Sequence, residues 1–267
     1  MCTLCPHHCE IADGNAGLCG VRVNTGGELL AESYGRVTSL ALDPIEKKPL
    51  YHFHPGSKIL SIGSYGCNMK CSFCQNHRIS QENPEGEYIS PEELARLAAD
   101  IQGNIGVAFT YNEPLIWIEY IMDAAPLIRR NGQSVILVSN GQINAEPLEK
   151  LIPLVDAWNI DVKAFSHDFY RKHRGDLDVV KHTVEAASAV SHVEVTTLII
   201  PGENDGEEEV AALTGWLSGV SEKIPYHLSR FFPRYKMADH QPTPRETLVK
   251  LVEIAGQMLR HVHIGNL

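Results

Sequence analysis

From Lys58 onward the chain alternates short apolar runs with longer amphipathic ones, and this alternation leaves few folds open. Strand candidates fall at 59–63, 106–110, 134–139, 157–162, 193–200, 226–231 and 261–264. Each is short and mostly apolar, as expected of parallel strands covered on both faces. Helix candidates lie between and after them, at 91–101, 114–130, 145–151, 179–190, 207–220 and 244–259. Ser90-Pro91-Glu92-Glu93 supplies an N-cap, a first-turn proline and acids for the helix dipole. Repeated βα units predict a parallel sheet with right-handed crossovers, either doubly wound or a partial or full barrel. A barrel carries its active site at the C-terminal ends of its strands. Residues 1–57 lack this rhythm. They read as a cysteine-rich extension and linker, with the α/β body at 58–267.

The loop after the first strand holds the most informative chemistry. In GCNMKCSFCQN, Cys67, Cys71 and Cys74 follow a C-x3-C-x2-C pattern. Three thiolates on one short loop leave one corner of a cubane iron–sulfur cluster without a protein ligand, and that iron can bind a substrate or cofactor. A zinc site is the competing reading, with His77 three residues past Cys74 as a fourth ligand. The seven cysteines divide into this triplet and a set of four, Cys2, Cys5, Cys9 and Cys19, on a glycine-rich stretch. That stretch has too little apolar content to order itself, so metal binding would supply folding free energy. Zinc and a second iron–sulfur cluster both fit the four cysteines, and His7 or His8 could replace one of them.

Composition narrows the partners. A formal charge of −10 argues against a nucleic-acid backbone. No apolar run has the length of a membrane span. The start, MCTLCPHHCE, lacks the basic and apolar regions of a signal peptide, so a cytoplasmic location is expected. In a reducing compartment, clustered cysteines read as metal ligands rather than disulfides.

Unusual polar residues follow the strands: Thr110-Tyr111-Asn112-Glu113-Pro114, Ser139-Asn140-Gly141, Asp161-Val162-Lys163, Pro201-Gly202-Glu203-Asn204-Asp205 and Pro225-Tyr226-His227. Each alone reads as a turn or a surface ion pair. Their convergence on one barrel mouth, around the cysteine loop, favours a functional reading. The triplet, with Phe73 before its last cysteine, resembles the signature of the radical SAM superfamily. There the unique iron of a [4Fe–4S] cluster chelates S-adenosylmethionine (SAM), and the aromatic residue lies near the adenine. Residues 58–267 resemble the activating enzymes of glycyl radical enzymes, which implies a partial (β/α)6 TIM-like barrel. That resemblance assigns SAM contacts to Glu113, Ser139, Asn140, Asp161, Lys163 and His227. Tyr111-Asn112 stand where the family has glycines, and Val138 replaces an aspartate that holds a monovalent cation in some relatives.

CTLCPHHCEIADGNAGLCGVR, DPIEKKPLYHFHPG, SYGCNMKCSFCQNHRISQ and HLSRFFPRYKM together resemble the radical SAM component of the AmmeMemoRadiSam system. These resemblances imply reductive cleavage of SAM to a 5′-deoxyadenosyl radical, which abstracts hydrogen from a substrate. They imply a flavodoxin- or ferredoxin-type electron donor, an unidentified small-molecule or protein substrate, and Memo-like and AMMECR-like partners. A glycyl-radical activase is the alternative within this chemistry, and a non-catalytic zinc or iron–sulfur protein is the alternative outside it. Lys47 and Lys48, in the proline-bounded segment 43–50, read equally as a solvated linker or as a wrap that faces the barrel mouth. His52 and His54 read as packed or hydrogen-bonded histidines. Arg230 and Arg234 are candidates for an anionic substrate.

Overall fold

The computed structural model describes residues 1–267. Its elements in chain order are β1 (Arg22–Thr25), β2 (Glu28–Ala31), β3 (Arg36–Val37), β4 (Ser39–Pro44), β5 (Lys58–Gly63), α1 (His77–Ser80), β6 (Glu87–Tyr88), α2 (Pro91–Asp100) and β7 (Asn104–Phe109). There follow α3 (Ile118–Arg130), β8 (Ser134–Ser139), α4 (Ala145–Leu151), β9 (Ala157–Asp161), α5 (His167–Lys172), α6 (Leu177–Ser188), β10 (His192–Ile199), α7 (Glu207–Ser221), β11 (Tyr226–Arg230), α8 (Arg245–Ala255) and β12 (Val262–Gly265).

The central sheet has eight strands in the order β12-β11-β10-β9-β8-β7-β5-β4. All neighbours pair in parallel except β4, which runs antiparallel to β5. All seven expected strands and six expected helices are present, with ends shifted by a few residues. The expected partial (β/α)6 barrel is therefore the fold: six strand–helix units, a closing seventh parallel strand and the antiparallel β4. Leu137 and Trp158 on one face of the strands join the large core beneath the helices, while Val138 and Asp161 on the other face line the barrel interior. Helix starts are locally specified: the Ser90 hydroxyl accepts from the Glu93 N–H, and the Asp176 carboxylate accepts from Asp178 and Val179.

The extension is more ordered than its composition implies. β1 and β2 form a hairpin about Gly26-Gly27, both at positive φ, with Thr25 opposite Glu28. β4 joins the barrel sheet across the 57/58 boundary read from sequence. The segment after β4 then enters the barrel interior. Ile45 and Leu50 pack there against Ile59, Ala108, Ile136 and Ala157 as a small apolar floor.

Candidate active site

A cavity of about 330 Å³ lies at the C-terminal ends of the parallel strands, within the size range of small-molecule sites. Cys67, Cys71 and Cys74 border it together with Glu113, Ser139, Asn140, Asp161 and Lys163. Phe73 also reaches it, held edge-on to His173 and tilted against Phe169. Residues separated by up to about a hundred positions in sequence thus share one wall, because the parallel sheet brings every strand's C-terminal end to one side.

Glu113 organises the centre of that wall. One carboxylate oxygen accepts from the Leu115 N–H (2.9 Å) and the Ser139 hydroxyl (2.7 Å), and the other from the Asn140 N–H (2.8 Å). Burial pushes the carboxyl up to about 7 against the pull of these donors. Asn140 then bonds Asn68, next to Cys67, at 2.9 Å, so the Glu113 wall and the cysteine loop are one network. Lys163 lies 3.1 Å from Asp161. Burial would depress its ammonium, but Asp161 and Cys71 outweigh that and hold it charged. Gly63 permits the close passage of the next loop: a Cβ there would stand 2.8 Å from the Thr110 carbonyl oxygen and 2.9 Å from Tyr111 Cβ.

As thiols the three cysteines have not closed on a common point, and cubane ligands stand apart around a larger body. Hydrogen bonds already reach the sulfurs: the Met69 N–H donates to Cys67 Sγ at 3.3 Å, and Cys74 Sγ and the Ser80 hydroxyl share a bond of 3.1 Å in which either can donate. Burial pushes the Cys71 thiol up to about 11 and Cys67 well above its usual value, so metal binding must displace their protons. The His77 ring stacks on Tyr235 at 4.4 Å and does not border the cavity.

Two sequence expectations end elsewhere. His227 does not line the cavity. It sits opposite the cavity-lining Thr196 in the sheet register, with its Nε2 turned to Glu194 at 2.6 Å. Arg230 donates to the Thr243 carbonyl and lies over Phe232, and neither it nor Arg234 borders the cavity. Lys47 and Lys48 take the wrapping option: both border the cavity. Lys48 is buried, 2.8 Å from Asp43, which also accepts from the Tyr111 hydroxyl (2.6 Å). Burial pushes the Asp43 carboxyl up, but hydrogen bonds from Lys48 and Tyr111 outweigh that and hold it far below the usual range.

Glu194 was missed entirely. It is a fully buried carboxylate whose four partners are the Tyr51 and His52 N–H groups and the His192 and His227 imidazoles. It anchors the strap that carries Lys47 and Lys48. A lone Glu within a β-branched strand, His192-Val-Glu-Val, was the available signal.

The sequence profile of the Radical SAM superfamily matches residues 61–214, which include the cysteine loop and most of the cavity wall. An uncharacterized protein of Methanocaldococcus jannaschii, MJ0808, is 41% identical over 99% of this chain and 80% of its own length. The pyruvate formate-lyase-activating enzyme of Clostridium pasteurianum is 23% identical over 73% of this chain and 88% of its own. Among solved structures, a radical SAM methyltransferase from Sphaerobacter thermophilus shares the fold, with a TM-score of 0.62 and 14% identity over 79% of this chain and 67% of that one. No helix is long and apolar enough to cross a membrane. The profile covers more than half the chain and the loop it spans carries the three thiols, so this chain belongs to the radical SAM superfamily and is an enzyme of that class, with a [4Fe–4S] cluster and SAM as its cofactors.

Proposed function

We propose that Cys67, Cys71 and Cys74 hold the cluster and that Glu113, Ser139, Asn140, Asp161 and Lys163 orient SAM beside it. The observation that carries this reading is that all eight residues border one cavity. The cluster and SAM, once bound, supply a 5′-deoxyadenosyl radical by one-electron reductive cleavage. The chain's own residues bind, orient and exclude water. Glu113 offers a buried carboxyl for the SAM ammonium, Lys163 and Asp161 offer charged partners for its polar edges, and Phe73 offers an apolar face. A flavodoxin- or ferredoxin-type protein delivers the electron.

For the substrate, we favour the AmmeMemoRadiSam type, with Memo-like and AMMECR-like partners, over activation of a glycyl radical enzyme. The support is the resemblance carried by CTLCPHHCEIADGNAGLCGVR, DPIEKKPLYHFHPG and HLSRFFPRYKM, three segments outside the 61–214 profile match. The second of them contains Lys47 and Lys48, which border the cavity. Anaerobic reconstitution tests the chemistry: about four irons at the triplet and reductant-dependent 5′-deoxyadenosine are expected. A reduced, cluster-loaded protein that never forms 5′-deoxyadenosine refutes the reading. Deuterium transfer into 5′-deoxyadenosine from a labelled glycyl radical enzyme would instead favour the activase.

A further inference from the structure

The four N-terminal cysteines do not scatter when the extension folds. Cys2, Cys5, Cys9 and Cys19 border one small enclosed void, closed elsewhere by Ile11 and Ile116. The Cys2 N–H donates to the Cys9 carbonyl at 2.9 Å, which closes the first turn, and all four cysteines are unpaired. The void measures about 10 Å³, room for one water-sized body. As thiols the four have not closed on a common point.

A second observation points to charge in that void. Arg22 borders it with a side chain only 8% exposed. One terminal nitrogen pairs with Glu119 at 2.6 Å, while its Nε has no hydrogen-bond partner. A buried guanidinium N–H without an acceptor is costly beside four neutral thiols. Beside four thiolates on a divalent ion, a dianionic centre, the same guanidinium gains an opposite charge.

We propose that Cys2, Cys5, Cys9 and Cys19 bind one tetrahedral divalent ion of the zinc class, with Arg22 as its buried counter-charge, and that this ion clamps the loop bearing Cys67. On binding, four S–H bonds give four metal–sulfur bonds, four protons leave to solvent, and no electron moves. The sulfurs turn inward from their positions as thiols.

The clamp follows from what the extension touches. The Cys19 carbonyl accepts from the Cys67 N–H at 3.3 Å, and the His7 ring bonds the Asn68 carbonyl at 2.7 Å. Gly66, at φ +83°, makes this approach possible, since a Cβ there would stand 2.7 Å from the Cys19 carbonyl oxygen. On the other side, Asn144 binds the carbonyls of Thr3, Leu4 and Cys5. The extension therefore bridges the Cys67 loop and the loop that follows Asn140.

The test uses the full chain with Cys67, Cys71 and Cys74 all changed to alanine, which leaves only the N-terminal thiols. Zinc loading followed by metal analysis should give about one zinc per chain, and cobalt in its place should show the visible bands of a tetrahedral tetrathiolate centre. Adding Cys5→Ser and Cys9→Ser should weaken zinc binding by roughly a hundredfold or more. A zinc-free protein, cobalt spectra without thiolate bands, bound iron in place of zinc, or affinity unchanged by the serines would each overturn the assignment. The wild-type chain supplies a second arm that does not depend on the variant folding. Its cluster-loaded form should carry zinc beside the irons, and a zinc chelator should speed exchange of the Cys67 amide by roughly tenfold while the β8 amides stay protected. Unchanged exchange at Cys67 after zinc removal would refute the clamp.

Discussion

Glu194 offers the sharpest test of how the barrel interior is held together. One of its oxygens accepts from the His52 N–H (2.7 Å) and His192 Nε2 (2.9 Å), the other from the Tyr51 N–H (3.0 Å) and His227 Nε2 (2.6 Å). Burial alone would raise its carboxyl, but the His192 and His227 bonds and then the two amides outweigh that and bring it down to about 2 from 4.5. At about 1.4 kcal/mol per pH unit, this depression corresponds to about 3 kcal/mol of stability. For a depressed acid the stabilisation is fully present above 4.5 and is lost as pH falls through about 2. Glu194→Gln keeps the shape, yet its NH2 must face one strap N–H and one imidazole that also donate. The expected cost at pH 7.5 is about 3 kcal/mol, or roughly 6–12 °C in Tm for a chain of this size. Anaerobic thermal melts of the two cluster-loaded proteins measure it. Hydrogen exchange should show the loosening at Tyr51 and His52 first. A Tm shift below about 2 °C, or a wild-type stability that does not fall between pH 4.5 and 2.5, would refute the argument.

Other perturbations separate the roles of the remaining residues. Cys71→Ala should abolish SAM cleavage, whereas Cys5→Ala should leave measurable 5′-deoxyadenosine if the N-terminal centre is structural; equal and complete loss in both, with the barrel cluster assembled, would give the extension a catalytic role. Glu113, with its carboxyl up at about 7 from 4.5, costs stability as pH rises through that window, about 3 kcal/mol in all. Glu113→Gln should bind SAM roughly ten- to a hundredfold more weakly by calorimetry. Wild-type SAM affinity should rise between pH 6 and 8 as Glu113 ionises, and a flat profile would remove Glu113 from the ammonium site. Gly63→Ala drives a methyl into the Thr110 carbonyl at 2.8 Å and should cost about 1–3 kcal/mol in denaturant unfolding.

Local pattern was enough for much of the architecture. Parallel strands must be apolar on both faces and their crossovers amphipathic, so β5 and β7 to β12 were legible one by one. β4 was not: as an edge strand it leaves Leu40 and Leu42 exposed and shows neither a buried run nor alternation. The β1–β2 hairpin did have a signal, Gly26-Gly27 between two short strands, overlooked within a glycine-rich stretch.

The amino-acid sequence by itself determined the chemistry that depends on spacing within one loop: the cysteine triplet, Phe73 beside it, and the polar residues just past each strand. Their convergence follows from the parallel βα rhythm, because every strand end then points the same way. Only the tertiary structure decided which rung of the barrel each residue occupies. It turned His227 to Glu194 rather than to the cavity. It ran the 45–54 strap through the barrel and brought Lys47 and Lys48 to the cavity wall. It also gathered four cysteines and Arg22 about one void. The Tyr51–Glu194 bond joins residues 143 positions apart. Such a contact is paid for by global packing, and no periodicity near either end encodes it.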